Sequence, residues 1–254
     1  MGEGIHINIA AEKLGTILGF PITNTLITSW AVLILLAILA FLVGPRIKMI
    51  PGRFQTLLEE AIGFVYSYVE EVLESKKLAR RFFPLLMTIF LFIFTANMLE
   101  FIPGFESIGF YKSWGGEFVP LLRSINTDLN VPLMLAIVAF FVIQISGIVM
   151  IGAAKYAKKF MINPIRDFIG FFVGLVEFIG EFARAISLAF RLFGNILAGE
   201  VVIAVAIFFV PYLGPIPFML FEIFIGTLQA AIFALLTLFF IKLAVSEPHG
   251  EEAH

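Results

Sequence analysis

The 254-residue chain is 60% hydrophobic and only 14% charged, with a mean hydropathy of +1.02, which excludes a soluble globular domain and predicts an all-α polytopic membrane protein. Its net charge of −2 leaves no excess for nucleic acid, and the absence of cysteine removes disulfides, thiolate chemistry and cysteine metal sites. His6, His249 and His254 lie at the ends of the chain, so a histidine metal site within the membrane is excluded and no cofactor is expected.

Residues 1–25 lack the basic start and uninterrupted apolar core of a secretory signal and are read as an outer N-terminal tail. A hydrocarbon core of about 30 Å takes roughly 20 apolar residues in a helix. Residues 26–44 supply the first such span. The next segment, 54–81, interleaves Leu57, Ile62, Phe64, Val65, Val69 and Leu73 with Glu59, Glu60, Glu70, Glu71 and Glu74, which predicts an amphipathic interfacial helix. Spans follow at 82–102 and 131–152, separated by a loop punctuated by Pro103, Gly104, Gly115, Gly116 and Pro120.

After Pro164 the pattern changes. Residues 167–210 hold no proline and are apolar, yet carry Glu177, Glu181, Arg184, Arg191, Asn195 and Glu200. One helix of that length would run about 60 Å, twice the bilayer core. Either the chain turns back near Gly194–Asn195 or the helix is steeply tilted, and the lack of proline favours the tilted helix. The stretch 211–217, PYLGPIP, is a firm break; a last helix over 218–243 and a cytoplasmic tail over 244–254 complete the chain. The total is about six helices: five crossings and one surface helix, with the last two long and tilted.

Lysine and arginine in the short connections set the orientation. Arg46, Lys48, Arg53, Lys76, Lys77, Arg80 and Arg81 lie between the first and second spans, and Lys155, Lys158, Lys159 and Arg166 follow the third. The N-terminal tail has only Lys13, and 103–130 only Lys112 and Arg123. The N-terminus is therefore expected outside and the C-terminus in the cytoplasm.

An ionisable residue inside a span costs at least about 2.5 kcal/mol and asks for a partner, water or a function. At 100° per residue, Glu177, Glu181, Arg184, Ser187, Arg191 and Asn195 fall on one face of a helix, with Glu200 roughly opposite. On the last helix Glu222 and Gln229 share a face, and Gly226, Ala230 and Ala234 form a small-residue groove for a neighbouring helix. Glu181 with Arg184, or Arg184 with Glu177, are compatible with ordinary intrahelical pairs. Arg191 is different: positions 187, 188, 194 and 195 offer serine, leucine, glycine and asparagine, so its negative partner must come from elsewhere. Guanidinium stays charged at any relevant pH, whereas buried carboxylates such as Glu177, Glu200 and Glu222 can take up and release protons. A fixed cation between titratable acids reads as a barrier between two proton paths.

SLAFRLFGNILAGE, residues 187–200, resembles the signature of subunit a of F-type ATP synthases, the membrane stator beside the rotating c-ring. PGRFQTLLEEAIGFV (51–65), TDLNVPLMLA (127–136) and TLQAAIF (227–233) resemble further segments of that family in the same order. The resemblance implies that Arg191 is the stator arginine facing the c-subunit carboxylate, with Asn195 and Gln229 as its polar neighbours. Glu177 and Ser187 would then belong to the inner access path, and Glu200 and Glu222 to the outer. Where some members of the family carry histidine, this chain has Glu222, which leaves the outer path purely carboxylate. The implied partners are the c-ring proteolipids, the b/b′ peripheral stalk, the rest of the synthase and the lipid bilayer, with a bacterial plasma membrane as the expected location. No ATP-binding or catalytic residue is implied in this chain. A stand-alone secondary transporter or channel is the competing class, opposed by the missing internal repeats and the unpartnered arginine. A purely structural anchor leaves the buried acids unexplained.

Overall fold

The computed structural model describes residues 11–17, 19–102, 104–111, 118–160 and 168–246. His6, Asp167, the prolines at 103 and 164, the glycines at 115 and 116, and the end of the C-terminal tail lie outside the described residues. The first transmembrane helix, α1, spans Asn24–Val43, capped by the Thr23 side chain, which accepts from the Leu26 amide. A second helix, α2, covers Arg53–Leu73, and α3 covers Lys76–Leu99. The amphipathic helix expected over 54–81 is thus two elements. Glu74 takes a left-handed conformation (φ 53°) that reverses the chain, and the Ser75 side chain caps a new helix by accepting from the Leu78 amide.

The third span, α4, runs Asn130–Ile151, and Gly152 (φ +94°) turns it into a short helix, α5, over Ala153–Phe160. The sequence pattern gave no sign of α5. Next, α6 is one unbroken helix of 42 residues, Phe168–Phe209, so the chain does not turn back at Gly194–Asn195. The last helix, α7, spans Pro215–Val245 and begins three residues before the expected 218. Pro215 and Pro217 fit in its first turn because the N–H groups they lack have no acceptor there.

Five of these helices, α1, α3, α4, α6 and α7, are long and apolar enough to cross a membrane. The chain is an all-α polytopic membrane protein, and its small antiparallel ribbons sit at the connections: β1 (Lys13–Ile17) with β2 (Phe20–Thr23), and β3 (Gly109–Tyr111) with β4 (Phe118–Pro120). The Asn24 side chain meets the Pro120 carbonyl at 3.5 Å, which sets both ribbons at one end of the bundle. At the other end Lys242 of α7 pairs with Glu74 after α2, 3.0 Å apart. Alternating spans require such a separation.

The core lies where α3, α4, α6 and α7 meet, around Ile93, Ala139, Leu192, Ile196, Ala230 and Phe233. Large apolar residues also point outward in number, among them Phe41, Ile169, Val176 and Phe209, as suits surfaces solvated by lipid. Gly226 of α7 lies against α3: a Cβ there would sit 3.1 Å from that of Asn97, and the Asn97 amide donates to the Gly226 carbonyl at 2.9 Å. The small-residue groove of α7 therefore receives α3 at this position.

The loop before α4 is not a surface loop throughout. Arg123, Ser124, Ile125, Asn126, Thr127 and Asp128 are all buried. Their polar groups are met from several helices: Thr28 Oγ1 accepts from the Arg123 amide (3.1 Å), Thr25 donates to Asp128 (3.0 Å), Ser124 donates to Glu100 (2.7 Å), and Asn126 donates to Asn97 (2.6 Å). Burial of a polar loop is stable when its groups find partners in this way.

Candidate functional site: charged residues along the long helix

Packing divides the polar face expected on α6. Gly174, Glu181, Leu188, Leu192 and Ile196 recur at helical spacing and are buried against the bundle. Ser187, Arg191 and Asn195, one turn apart from each other, lie exposed beside that stripe. Arg191 makes no ion pair among the described residues. The next turn is tied to α7 by a hydrogen bond from the Asn195 amide to Gln229 Oε1, 2.8 Å long.

Toward the α5 end, Glu181 is 4% exposed and its Oε1 lies 3.5 Å from Arg184 Nη1, the intrahelical pair that spacing allowed. Its other oxygen accepts from Gln144 of α4 at 3.1 Å, and Gln144 Oε1 accepts from the Tyr156 hydroxyl at 2.5 Å. Burial, with Glu181 and Glu177 close by, pushes the Tyr156 hydroxyl up to about 12 against the opposing pull of Arg184, so it stays a donor. Glu177 is half-buried beside this group. The ring of Tyr156 covers Gly147, and a Cβ on that glycine would overlap it. Gly147→Ala is accordingly expected to undock α5 at about 1–3 kcal/mol. Thermal inactivation of the assembled complex should come at lower temperature, whereas Gly63→Ala, in mid-helix with a Cβ that would meet nothing within 4 Å, should not lower it.

Toward the opposite end, Glu222 of α7 is 3% exposed and presses on Gly199, where any Cβ would overlap its carboxyl group. Neither Glu222 oxygen has a hydrogen-bond partner among the described residues, and nor does Gln229 Nε2. Glu200, half-buried on the adjoining residue of α6, lies within electrostatic reach of Glu222. A groove of about 560 Å³ opens along this seam, lined in part by Asn195, Gly199, Phe221 and Glu222. Buried polar atoms without protein partners beside such a groove are positions for water.

The structure thus gathers Asn195 with Gln229, Glu200 with Glu222, and Glu177 with Glu181, and leaves Arg191 facing outward between the groups. Several polar residues that the packing brings into contact escaped the sequence reading, among them Gln144, Asn97, Asn126 and Tyr156. Gln144 and Asn97 carried a usable signal, an amide within an apolar span. Asn126 sat in a segment read as loop, and Tyr156 in one with no span at all.

A family model described as ATP synthase A chain matches residues 26–242. The chain belongs to the ATP synthase A chain family. Among curated relatives, ATP synthase subunit a of Moorella thermoacetica is 32% identical over 221 residues, covering 87% of this chain and 90% of its own length. The Helicobacter pylori subunit a is 32% identical over 244 residues, 94% of this chain and 99% of its own. Membership makes the chain an integral membrane subunit concerned with ion transport and ATP synthesis.

Proposed function

We propose that this chain is the stator subunit a of an ATP synthase membrane sector, providing two offset half-channels that carry ions to and from a rotating c-ring. The observation that carries this reading is Arg191: an unpaired guanidinium on the outward side of a 42-residue helix whose opposite stripe is buried. A permanent cation at mid-membrane needs a carboxylate, and none of the described residues supplies it, so the partner belongs on another chain.

On this reading a proton from outside passes Glu200 and Glu222 and neutralises a c-ring carboxylate, which removes most of the cost of placing that carboxyl against lipid. The ring then turns. At the inner path near Glu177 the proton leaves, and the carboxylate passes Arg191 as an anion. The guanidinium favours the ionised carboxylate there and opposes a proton crossing straight from one path to the other. Ser187 lines the inner approach, while Asn195 and Gln229 fix the seam next to the arginine. The buried, unpartnered polar atoms of Glu222 and Gln229 support water in the outer path, and the Asn97–Asn126 contact continues the polar character toward the loop before α4. Loop charge supports an outer N-terminus and a cytoplasmic C-terminus, in a bacterial plasma membrane, with b-type stalk subunits holding the chain against the ring.

Purification in mild detergent tests the assignment. A ring of small two-helix proteolipids should remain with the chain; recovery as a lone protein that transports ions by itself would favour a secondary transporter.

A further inference from the structure

Four elements are joined by one line of contacts at the cytoplasmic end. Tyr156 of α5 donates to Gln144 of α4, Gln144 donates to Glu181 of α6, and Glu181 pairs with Arg184, whose guanidinium carbon lies 5.4 Å from the centre of the Phe240 ring of α7. A carboxamide donates and accepts but does not ionise, so Gln144 in the middle of the line prevents it from serving as a proton relay. Its geometry is that of a clamp. Arg184 precedes Arg191 by seven residues, about 10.5 Å of rise, so the clamp anchors α6 just ahead of the residue that meets the rotor.

We propose that Tyr156 is a positioning residue of the cytoplasmic half-channel: through Gln144 it holds Glu181 against Arg184 and keeps the α4–α6 seam closed. The proposal rests on the half-channel reading. Both oxygens of Glu181 face donors, from Gln144 and from Arg184, so the line is closed at each of its members. Gly147 admits the tyrosine ring only because it has no side chain, so a backbone feature of α4 serves the same contact.

The test uses the whole synthase in inverted vesicles, with ATP-driven proton pumping compared at equal amounts of assembled complex. Tyr156→Phe keeps the ring on Gly147 and removes the hydroxyl, and Gln144→Leu cuts the line from the other side. Each should lower pumping about five-fold, the size of one side-chain hydrogen bond, while ATP hydrolysis continues. Because the two act in series, the double variant should pump no less than the weaker single. Gln144→Glu adds a readout that simple packing would not move. Position 144 touches Tyr156 from α5 and Glu181 from α6; the other charged groups around Tyr156 are Glu177 and Arg184 of α6, with Lys155 exposed next to it in sequence. A protonated glutamic acid there can accept from Tyr156 and donate to Glu181, whereas an ionised one repels Glu181. Its pumping relative to wild type should therefore recover as the buffer is made mildly acid. If Tyr156→Phe does not accumulate, the two position-144 variants still decide the matter. Additive losses, or a Gln144→Glu variant that follows the wild-type pH profile, would overturn the clamp. Arg191→Ala in the same vesicles separates the two ideas: normal pumping there sinks the half-channel reading itself, whereas its failure beside wild-type behaviour at 144 and 156 sinks the clamp alone.

Discussion

Replacing Arg191 with alanine is expected to abolish coupled ATP synthesis while leaving the complex assembled. Assembly should survive because the side chain points outward and joins no ion pair among the described residues. Coupling should not, because a rotor carboxylate arriving at that point would be an anion in a desolvated place without its cation. Removing one partner of such a pair costs about 3–5 kcal/mol, on the order of a hundredfold to a few thousandfold in rate. Arg191→Lys should fail as well. A compact ammonium lacks the planar fork that grips a carboxylate, and unlike guanidinium it can lose its proton when buried. ATP-driven acidification of inverted vesicles, with assembly checked by the subunits retained, is the measurement. Normal acidification in either variant would remove Arg191 from the role given to it.

The second large effect concerns which side of the membrane each acid can be reached from. Along the unbroken α6, Glu177 precedes Arg191 by about 21 Å of rise and Glu200 follows by about 13.5 Å. Glu222 presses on Gly199 and so sits at the level of Glu200. The two half-channels should therefore open to opposite faces, 177 to the cytoplasm and 200 with 222 to the outside. The chain has no native cysteine, so a thiol placed at each position is the only one it carries. A membrane-impermeant thiol reagent added to one side of oriented vesicles should label the 177 variant only from the cytoplasmic side, and the 200 and 222 variants only from the outer side. Reaction of all three from a single side would mean one continuous channel and would end the two-path mechanism.

Much of this molecule was legible before any coordinates. Apolar runs of bilayer length located five spans, because lipid requires each crossing to satisfy its own backbone and to present apolar side chains. Proline-free continuity from Asp167 to Val210 anticipated the long helix, since helix geometry is local and its breakers are visible as residues. Arg191 stood out for the same reason: every position that can reach it along its own helix is known from the spacing, and none holds an acid.

Other features depended on contacts between segments far apart in sequence. Spacing put Glu181 and Arg191 on one face, yet the α4 interface buries the first and leaves the second outside, because 100° per residue gives a direction around a helix and says nothing of where its neighbours stand. The break at Glu74–Ser75 was hidden in an amphipathic pattern that continues across it. Gly226 announced a close approach, but only the fold decided that Asn97 of α3 makes it. Tyr156 had no sequence signal whatever, since its importance lies in a hydrogen bond to Gln144 and a ring laid over Gly147. The sequence by itself determined which residues are charged, which segments are apolar enough to cross and that the arginine-bearing helix is long and unbroken, all of them local properties. Which charges are paired, which are buried and which face outward was decided by helix packing alone, because a buried polar group is stable only where another segment brings its partner within hydrogen-bonding distance.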